Sequence, residues 1–542
     1  MQATVHDVFS ATAARTPKAD FLFTESVTAA AYGIGAGVIP WGEAAAEVER
    51  LRAAYARAGY GHGHRVGLLL ENRPAFLFHW FALNALGVSV VPINAELRLA
   101  ELVYLIGHSE IGLAVTLPGR VTDLRAAAAK AGVALETMAP EVIDPVPPST
   151  TTPPRAGMAV GSNTECALLY TSGTTGRPKG CMLDNAYFLR AGEWYAALDG
   201  VCSIRRDCER VITPLPLNHM NAMAFSTMVV LVAGGCLVQI DRFHPKTWLQ
   251  SARESRATIA HYLGVMPAML LAATASVADQ DHAIRWGFGA GVDRGNHAPF
   301  EARFGFALVE AWAMTETGAA ACVMASREPR HVGASCFGRQ EDFVDIRLVD
   351  EEGRDVPADV PGELLVRSAG DDPKRYFFSG YLKDEEATRD AWSGGWFHTG
   401  DLVRRDAQGN FFFVDRKKNV IRRSGENISA VEVESVLNQH PAVKTSAVAA
   451  TPDAVRGDEV LACIVMRDDV DAASPSQIAA SIVAHALAQL AYYKAPGYVA
   501  FVDALPLTAS QKIQRGRLRE LARTLPGQDH CVDTRAMKKR QG

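Results

Sequence analysis

The cysteines of this sequence form no recognisable pairs. There are nine, an odd number, scattered along the chain and never spaced Cys-x-x-Cys. That argues against a disulfide framework or a zinc site and for a reducing compartment. A basic balance is missing too: the formal net charge is −5, which gives no sign of a nucleic-acid binder. The short basic run Lys538-Lys539-Arg540 reads as a solvated end. No basic stretch leads into an apolar core at the start, so no secretory signal is expected, and a cytoplasmic location is the resulting expectation. Long uninterrupted hydrophobic runs are absent. Ala222 to Ile240 comes nearest, but Gly234-Gly235 breaks it and Ser226, Thr227 and Gln239 interrupt it. It reads as a buried helix, a turn and a strand, not as a transmembrane segment. No internal repeat is visible.

What is present is the composition of an ordinary globular protein, 48% apolar and 21% charged, over 542 residues, enough for several domains. In the first 140 residues strand-like runs (Val66 to Leu70, Val88 to Pro92) alternate with helical patterns that open at Pro74 and Leu99. Such alternation predicts α/β layers around a largely parallel sheet. The Pro-, Ser- and Thr-rich stretch 140–155 reads as a surface connector. The last part differs. Ser429 is a suitable N-cap with Glu432 as its capping-box partner, strand-like runs follow at 447–450 and 460–465, and a helix is expected over 475–489. This is a small α+β unit, with a boundary near Lys417–Lys418.

The run Tyr170-Thr-Ser-Gly-Thr-Thr-Gly-Arg-Pro-Lys-Gly180 carries the strongest chemical signal. Thr171, Ser172, Thr174 and Thr175 supply hydroxyls, Gly173 and Gly176 let backbone approach closely, and Lys179 supplies charge. That combination can wrap a polyphosphate. A flexible linker would use similar residues, but linkers rarely sit between two apolar runs. The Walker A pattern fails, because Lys179 follows Pro178 and precedes Gly180.

This loop resembles the signature of the adenylate-forming superfamily: acyl-CoA synthetases, peptide-synthetase adenylation domains and luciferases. Further motifs follow in the family's order. Glu310-Ala-Trp-Ala-Met-Thr-Glu-Thr-Gly318 resembles the aromatic-Gly-x-Thr-Glu motif. The resemblance implies that Trp312 stacks on adenine, Thr315 bonds phosphate and Glu316 holds Mg²⁺. Gly289-Ala290-Gly291 resembles the small-residue stretch beside adenine and acyl group. Gly395-Trp-Phe-His-Thr-Gly-Asp401 resembles the segment whose aspartate binds ribose hydroxyls. Asp415 to Ile428 resembles the hinge motif, with Arg416 on the nucleotide, Lys418 at the pivot, and Ser424, Gly425 and Glu426 presenting backbone to the arm of coenzyme A. Leu505 to Ile513 resembles the motif of the catalytic lysine, here Lys512, with Gln511 where the family commonly has glycine. Leu215-Pro-Leu-Asn-His-Met-Asn221 resembles the motif that ends in a histidine beside the acyl site, here His219.

The resemblance, closest to carnitine/crotonobetaine-type and fatty acyl-CoA ligases, implies a large multi-layer domain over 1–417 and a small mobile domain over 418–542. It implies an ATP-dependent acid–CoA ligase. A carboxylic acid and ATP give acyl-adenylate and pyrophosphate, and coenzyme A then gives acyl-CoA and AMP. Asn218, Asn221, His261 and Tyr262 make the expected acyl region more polar than an alkyl tunnel requires, which favours a small or medium acid with a polar or aromatic group. Loading of a carrier-protein thiol, an oxidative luciferase-like reaction and a non-catalytic nucleotide-binding module remain as alternatives. Oligomeric state is not legible, and a homo-oligomer is compatible with the sequence.

Overall fold

The computed structural model describes residues 3–141, 145–171, 178–423, 426–453, 456–468, 474–490, 492–508 and 512–538, without the side chains at 418, 422, 426 and 427. Two sheets dominate the larger part. The first has eight strands, and the six running from Ala307–Trp312 through Trp286–Gly289, Ile259–His261, Arg210–Thr213 and Cys236–Gln239 to Asp20–Thr24 are mutually parallel. Antiparallel strands Gly37–Pro40 and Val323–Met324 close its edges. The second sheet has seven strands. Its parallel half holds Arg65–Leu69 and Ser89–Pro92, and its antiparallel half holds Glu165–Thr171 and Lys179–Asp184.

Parallel strands are covered on both faces, so their sequences are near-continuous apolar runs. Arg210–Thr213, Cys236–Gln239 and Trp286–Gly289 are buried throughout. The helix Pro74–Ala85 starts with proline where the missing N–H costs nothing, and from Phe76 onward it is buried almost all round. With Val5–Arg15 and Trp41–Arg57 it builds an aromatic core: Phe9 and Phe81 lie 4.8 Å apart between ring centres, Phe21 and Trp41 4.3 Å.

The expected α/β layering is therefore present. The segment 222–240 folds as read: a π-helix over Asn221–Thr227, an α-helix Met228–Ala233, a left-handed Gly234 and the strand Cys236–Gln239. A five-stranded antiparallel sheet follows, containing Phe397–Arg405 and Asn410–Arg416. The smaller part is a six-stranded sheet built from residues 421–533, carrying the helices Ala430–Leu437, Pro475–Gln489 and Arg515–Thr524.

Two local expectations need correction. Ser429 does cap its helix by accepting from the Glu432 N–H, but the Glu432 carboxylate turns away to Lys494 at 2.7 Å, so no reciprocal box forms. Lys538 is not a solvated end. It is buried, and its ammonium meets Glu459 at 2.5 Å, beside Arg423, whose Nε is 2.9 Å from the same carboxylate. A buried carboxylate is costly unless paired, and the chain returns through Cys531–Asp533 to place this lysine there.

Candidate active site

Three parallel strands of the eight-stranded sheet end at residues singled out in the sequence, and the carboxyl ends of parallel strands are the usual ligand position. His261 ends Ile259–His261, Gly289 ends Trp286–Gly289 and Trp312 ends Ala307–Trp312. A side chain at Gly289 would place Cβ 2.4 Å from the Tyr262 carbonyl. Ala290 and Gly291 are exposed, and Gly291, at φ +77°, needs glycine's freedom. The N–H groups of Gly291 and Val292 both donate to Glu310 Oε1 at 3.0 Å, which fixes this turn.

Charged groups gather around Trp312. Asp401 is 2% exposed. Its Oδ2 accepts the Trp312 indole N–H at 2.9 Å, and the Arg416 guanidinium lies 2.7 Å from Oδ1. That contact is not an aligned hydrogen bond, and Oδ1 keeps an unmet acceptor position. Burial raises the Asp401 pKa, and Arg416 and the indole oppose the rise. A buried carboxylate with a spare acceptor fits a pair of ribose hydroxyls.

Glu316 is mostly buried. Its Oε1 accepts the Tyr381 hydroxyl at 3.0 Å, and the Lys179 ammonium sits 4.7 Å from the centre of the Tyr381 ring. Tyr381 thus connects the loop lysine to the motif glutamate, a link that no sequence signal revealed. The Thr315 carbonyl accepts from the Tyr187 hydroxyl at 2.9 Å. Among the described residues no three His, Cys, Asp or Glu side chains cluster as metal ligands. A single carboxylate nevertheless suits Mg²⁺, which binds through one or two carboxylates plus phosphate oxygens and water.

The smaller part contributes Lys512. It is exposed, and its pKa is lowered by the desolvating protein around it and then by repulsion from Arg416. Its ammonium in turn acts on His219. That imidazole is lowered to about 4, first by desolvation, then by Lys512. The loop is held where the Thr508 N–H donates to the Lys512 carbonyl at 2.7 Å. Asp415 ties the parts together: its Oδ2 accepts from Ser429 Oγ at 3.1 Å and from the Val431 N–H at 3.3 Å, so the larger part caps the first helix of the smaller one.

Thr171, Lys179, His219, Gly289, Ala290, Gly291, Trp312, Thr315, Glu316, Asp401, Arg416 and Lys512 thus have described positions. Ser172, Gly173, Thr174, Thr175, Gly176, Ser424 and Gly425 lie outside the described residues, as do the side chains of Lys418 and Glu426. The expected polar acyl region is corrected in part. His261 and Tyr262 are buried and hydrogen-bonded inward, Tyr262 through its hydroxyl to the Val309 carbonyl at 3.2 Å. Asn218 and Asn221 are half-buried and His219 is exposed.

A large α/β part followed by a small α+β part that carries Lys512 near Arg416 is the architecture of an adenylate-forming ligase. The chain belongs to the AMP-binding enzyme family: residues 9–382 match the AMP-binding enzyme and 432–512 the AMP-binding enzyme C-terminal domain. It is 30% identical to sulfoacetate–CoA ligase of Cupriavidus necator over 89% of this chain and 92% of that protein. To crotonobetaine/carnitine–CoA ligase of Shigella flexneri it is 29% identical, over 87% and 91%. The crystal structure of ATP-bound MatB from Rhodopseudomonas palustris superimposes with TM-score 0.78 at 26% identity, covering 96% of this chain and 99% of that one. An anthranilate CoA ligase, AuaEII, in complex with anthranoyl-AMP shares the fold at TM-score 0.82 and 23% identity, covering 96% and 98%. By class, this chain is an ATP-dependent, adenylate-forming ligase of the acid–CoA type.

Proposed function

We propose that the enzyme activates a small or medium polar carboxylic acid with ATP and Mg²⁺ and transfers the acyl group to coenzyme A. The observation that carries this reading is a linked set of charges: Arg416 lies 2.7 Å from Asp401 and acts on Lys512, which in turn acts on His219. In the first half-reaction a carboxylate approaches the α-phosphorus, so two anions must meet and neutralisation dominates the barrier. Lys512 would bridge carboxylate and phosphate oxygens, positioning both while offsetting their charge. Anionic oxygens beside Lys512 would counter the desolvation and the Arg416 repulsion that lower its pKa.

Asp401 would take the ribose hydroxyls, Trp312 would lie against adenine, and Thr315, Lys179 and the loop 171–176 would hold phosphates. Glu316 would hold Mg²⁺, which would supply further neutral balance to the phosphates. His219, neutral at pH 7, would stand beside the acyl carbonyl without adding charge. The second half-reaction needs no strong base, since a free thiol has a pKa of about 8.5. Domains 1–417 and 418–542, pivoting at Lys418, would exchange the faces presented to the adenylate. The residues Ser424 to Glu426 would then meet the thiol arm.

Relatives named for sulfoacetate and for crotonobetaine/carnitine support a polar acid. The test is an acid panel with ATP, Mg²⁺ and coenzyme A. AMP and pyrophosphate in step with thioester are expected. ADP and phosphate as products would overturn the reading, and a phosphopantetheinyl carrier accepted in preference to coenzyme A would redirect it.

A further inference from the structure

Lys538 reaches back into the hinge motif. Its ammonium donates to Glu459 Oε1 at 2.5 Å and to the Tyr493 carbonyl at 3.2 Å, and neither the lysine nor the glutamate side chain has any exposure. Glu459 Oε1 also accepts the Val460 N–H at 2.9 Å, and Nε of the buried Arg423 lies 2.9 Å from both carboxylate oxygens. The carboxylate is seated against bare backbone at Gly497, where a Cβ would stand 2.5 Å from its carboxyl carbon. The preceding residues set the lysine there. Cys531–Asp533 pairs antiparallel with Tyr498–Phe501, and Thr534 Oγ1 donates to the Pro496 carbonyl at 2.9 Å.

Both contacts of the ammonium lead to one stretch of chain. Arg423 ends the strand Ile421–Arg423, which pairs with Glu426–Ile428 in the register Arg423 to Glu426, and Arg423 also pairs with Gly457. The arginine therefore stands at the last strand pair before Ser424 and Gly425. On the far side, Tyr493 precedes Lys494, whose ammonium is 2.7 Å from Glu432 in the helix Ala430–Leu437 that follows Glu426–Ile428. The chain before Ser424 and the chain after Ile428 are thus both tied to Lys538. Burying one carboxylate with two cations is costly, and apolar side chains of similar volume often stabilise a fold as well or better. What charged groups at fixed distances add is a single geometry for the strands they join. Lys538 lies beyond residues 432–512, the stretch matched by the C-terminal family domain.

We infer that Lys538 is a positioning residue for the second half-reaction. Acting through Glu459 and Arg423 on one side and Tyr493 on the other, it fixes the strand pair Ile421–Arg423 and Glu426–Ile428, and with it the backbone presented to the thiol arm of coenzyme A. Having no exposure, it touches neither adenylate nor thiol. The inference rests on the ligase reading above.

The test separates the half-reactions in the full-length enzyme, using the acid that releases most AMP in the panel above. Pyrophosphate exchange reads the first, and thioester release from the preformed acyl-adenylate of that acid reads the second. Lys512 belongs to the same small part, so intact exchange also reports that this part is folded. Lys538→Met removes the ammonium and keeps the length. It is expected to leave exchange within about twofold and to lower kcat/KM for coenzyme A by about 10–100-fold, the scale of a misplacement of about 1 Å at a reacting group. Lys538→Gln, which keeps an N–H donor for Glu459, should fall between Lys538→Met and the wild type. Gly497→Ala, which displaces the Glu459 carboxylate without altering the lysine, should reproduce the pattern of Lys538→Met. Equal loss in both half-reactions would mark a merely structural contact and overturn the inference, as would an unchanged thioester step. A wild type that releases AMP without forming thioester would instead remove the coenzyme A reading, and absence of AMP with every acid would defeat the ligase reading.

Discussion

In the proposed ligase reading, the nucleotide side and the acyl side of the site solve recognition differently. On the nucleotide side the groups are charged and paired with one another: Asp401 with Arg416 and the Trp312 indole, Lys179 against the ring of Tyr381, Tyr381 on Glu316. On the acyl side the groups are neutral: a deprotonated His219, a neutral His261, and the amide of Asn221. The ligand's own charge explains the difference. A triphosphate is always anionic, so fixed cations and an oriented carboxylate can be committed to it. A reacting carboxylate must be brought close without being trapped, so the pocket around it selects by shape and by single hydrogen bonds.

The sharpest way to break this contrast is to remove the cation that serves both halves. Lys512→Ala should cut acyl-adenylate formation by about 10²–10³-fold, the cost of losing one preorganised transition-state partner. Chemically made acyl-adenylate should still react with coenzyme A, and equal loss in both half-reactions, measured by pyrophosphate exchange and by thioester release, would refute the role. Asp401→Ala removes the ribose acceptor and leaves Arg416 unpaired. A loss of about 10–100-fold in kcat/KM for ATP, with the KM for the acid unaffected, follows from one charge-assisted hydrogen bond of about 1.5–3 kcal/mol. Lys418→Pro should spare pyrophosphate exchange and slow thioester formation by about tenfold, as for a hinge residue that absorbs a backbone change. An unaffected second step would remove the pivot.

The smallest expected effect concerns stability. His79 and His261 are fully buried and lowered to about 4 and about 3. Their unfolded values are near 6.5, so between pH 6.5 and 4 the unfolded chain binds protons that the folded chain does not. Stability is therefore complete above pH 6.5 and falls on acidification. Each histidine contributes a slope of up to about 1.4 kcal/mol per pH unit. Thermal melts of His261→Phe should show a shallower decline over that range than the wild type, and an identical slope would contradict the assignment.

Much of this arrangement is legible in the residues. The alternation of apolar runs gives the α/β layers, and the motifs along the chain give the ligase class, because phosphate and ribose chemistry need particular side chains at short spacing; the nucleotide site proposed around Trp312, Asp401, Arg416 and Lys512 rests on those same motifs. Partners distant in sequence are not legible. Nothing near Tyr381 signals that it would bridge Lys179, which opens another strand, and Glu316, which lies in the turn after Ala307–Trp312. A histidine at the end of an apolar strand reads the same whether it lines a pocket or supports it, so His261 reads as substrate-facing until its three hydrogen-bond partners are seen. Lys538 reads as a surface charge because its partner Glu459 lies 79 residues away.

The Lys538 contact also bears on handling the protein. The strand Cys531–Asp533 completes the small sheet against Tyr498–Phe501, and five residues later the ammonium of Lys538 sits on Glu459 with no exposure on either side chain. Trimming the polypeptide before Cys531 would strip an edge from that sheet and leave Glu459 to Arg423 and, more loosely, Arg456.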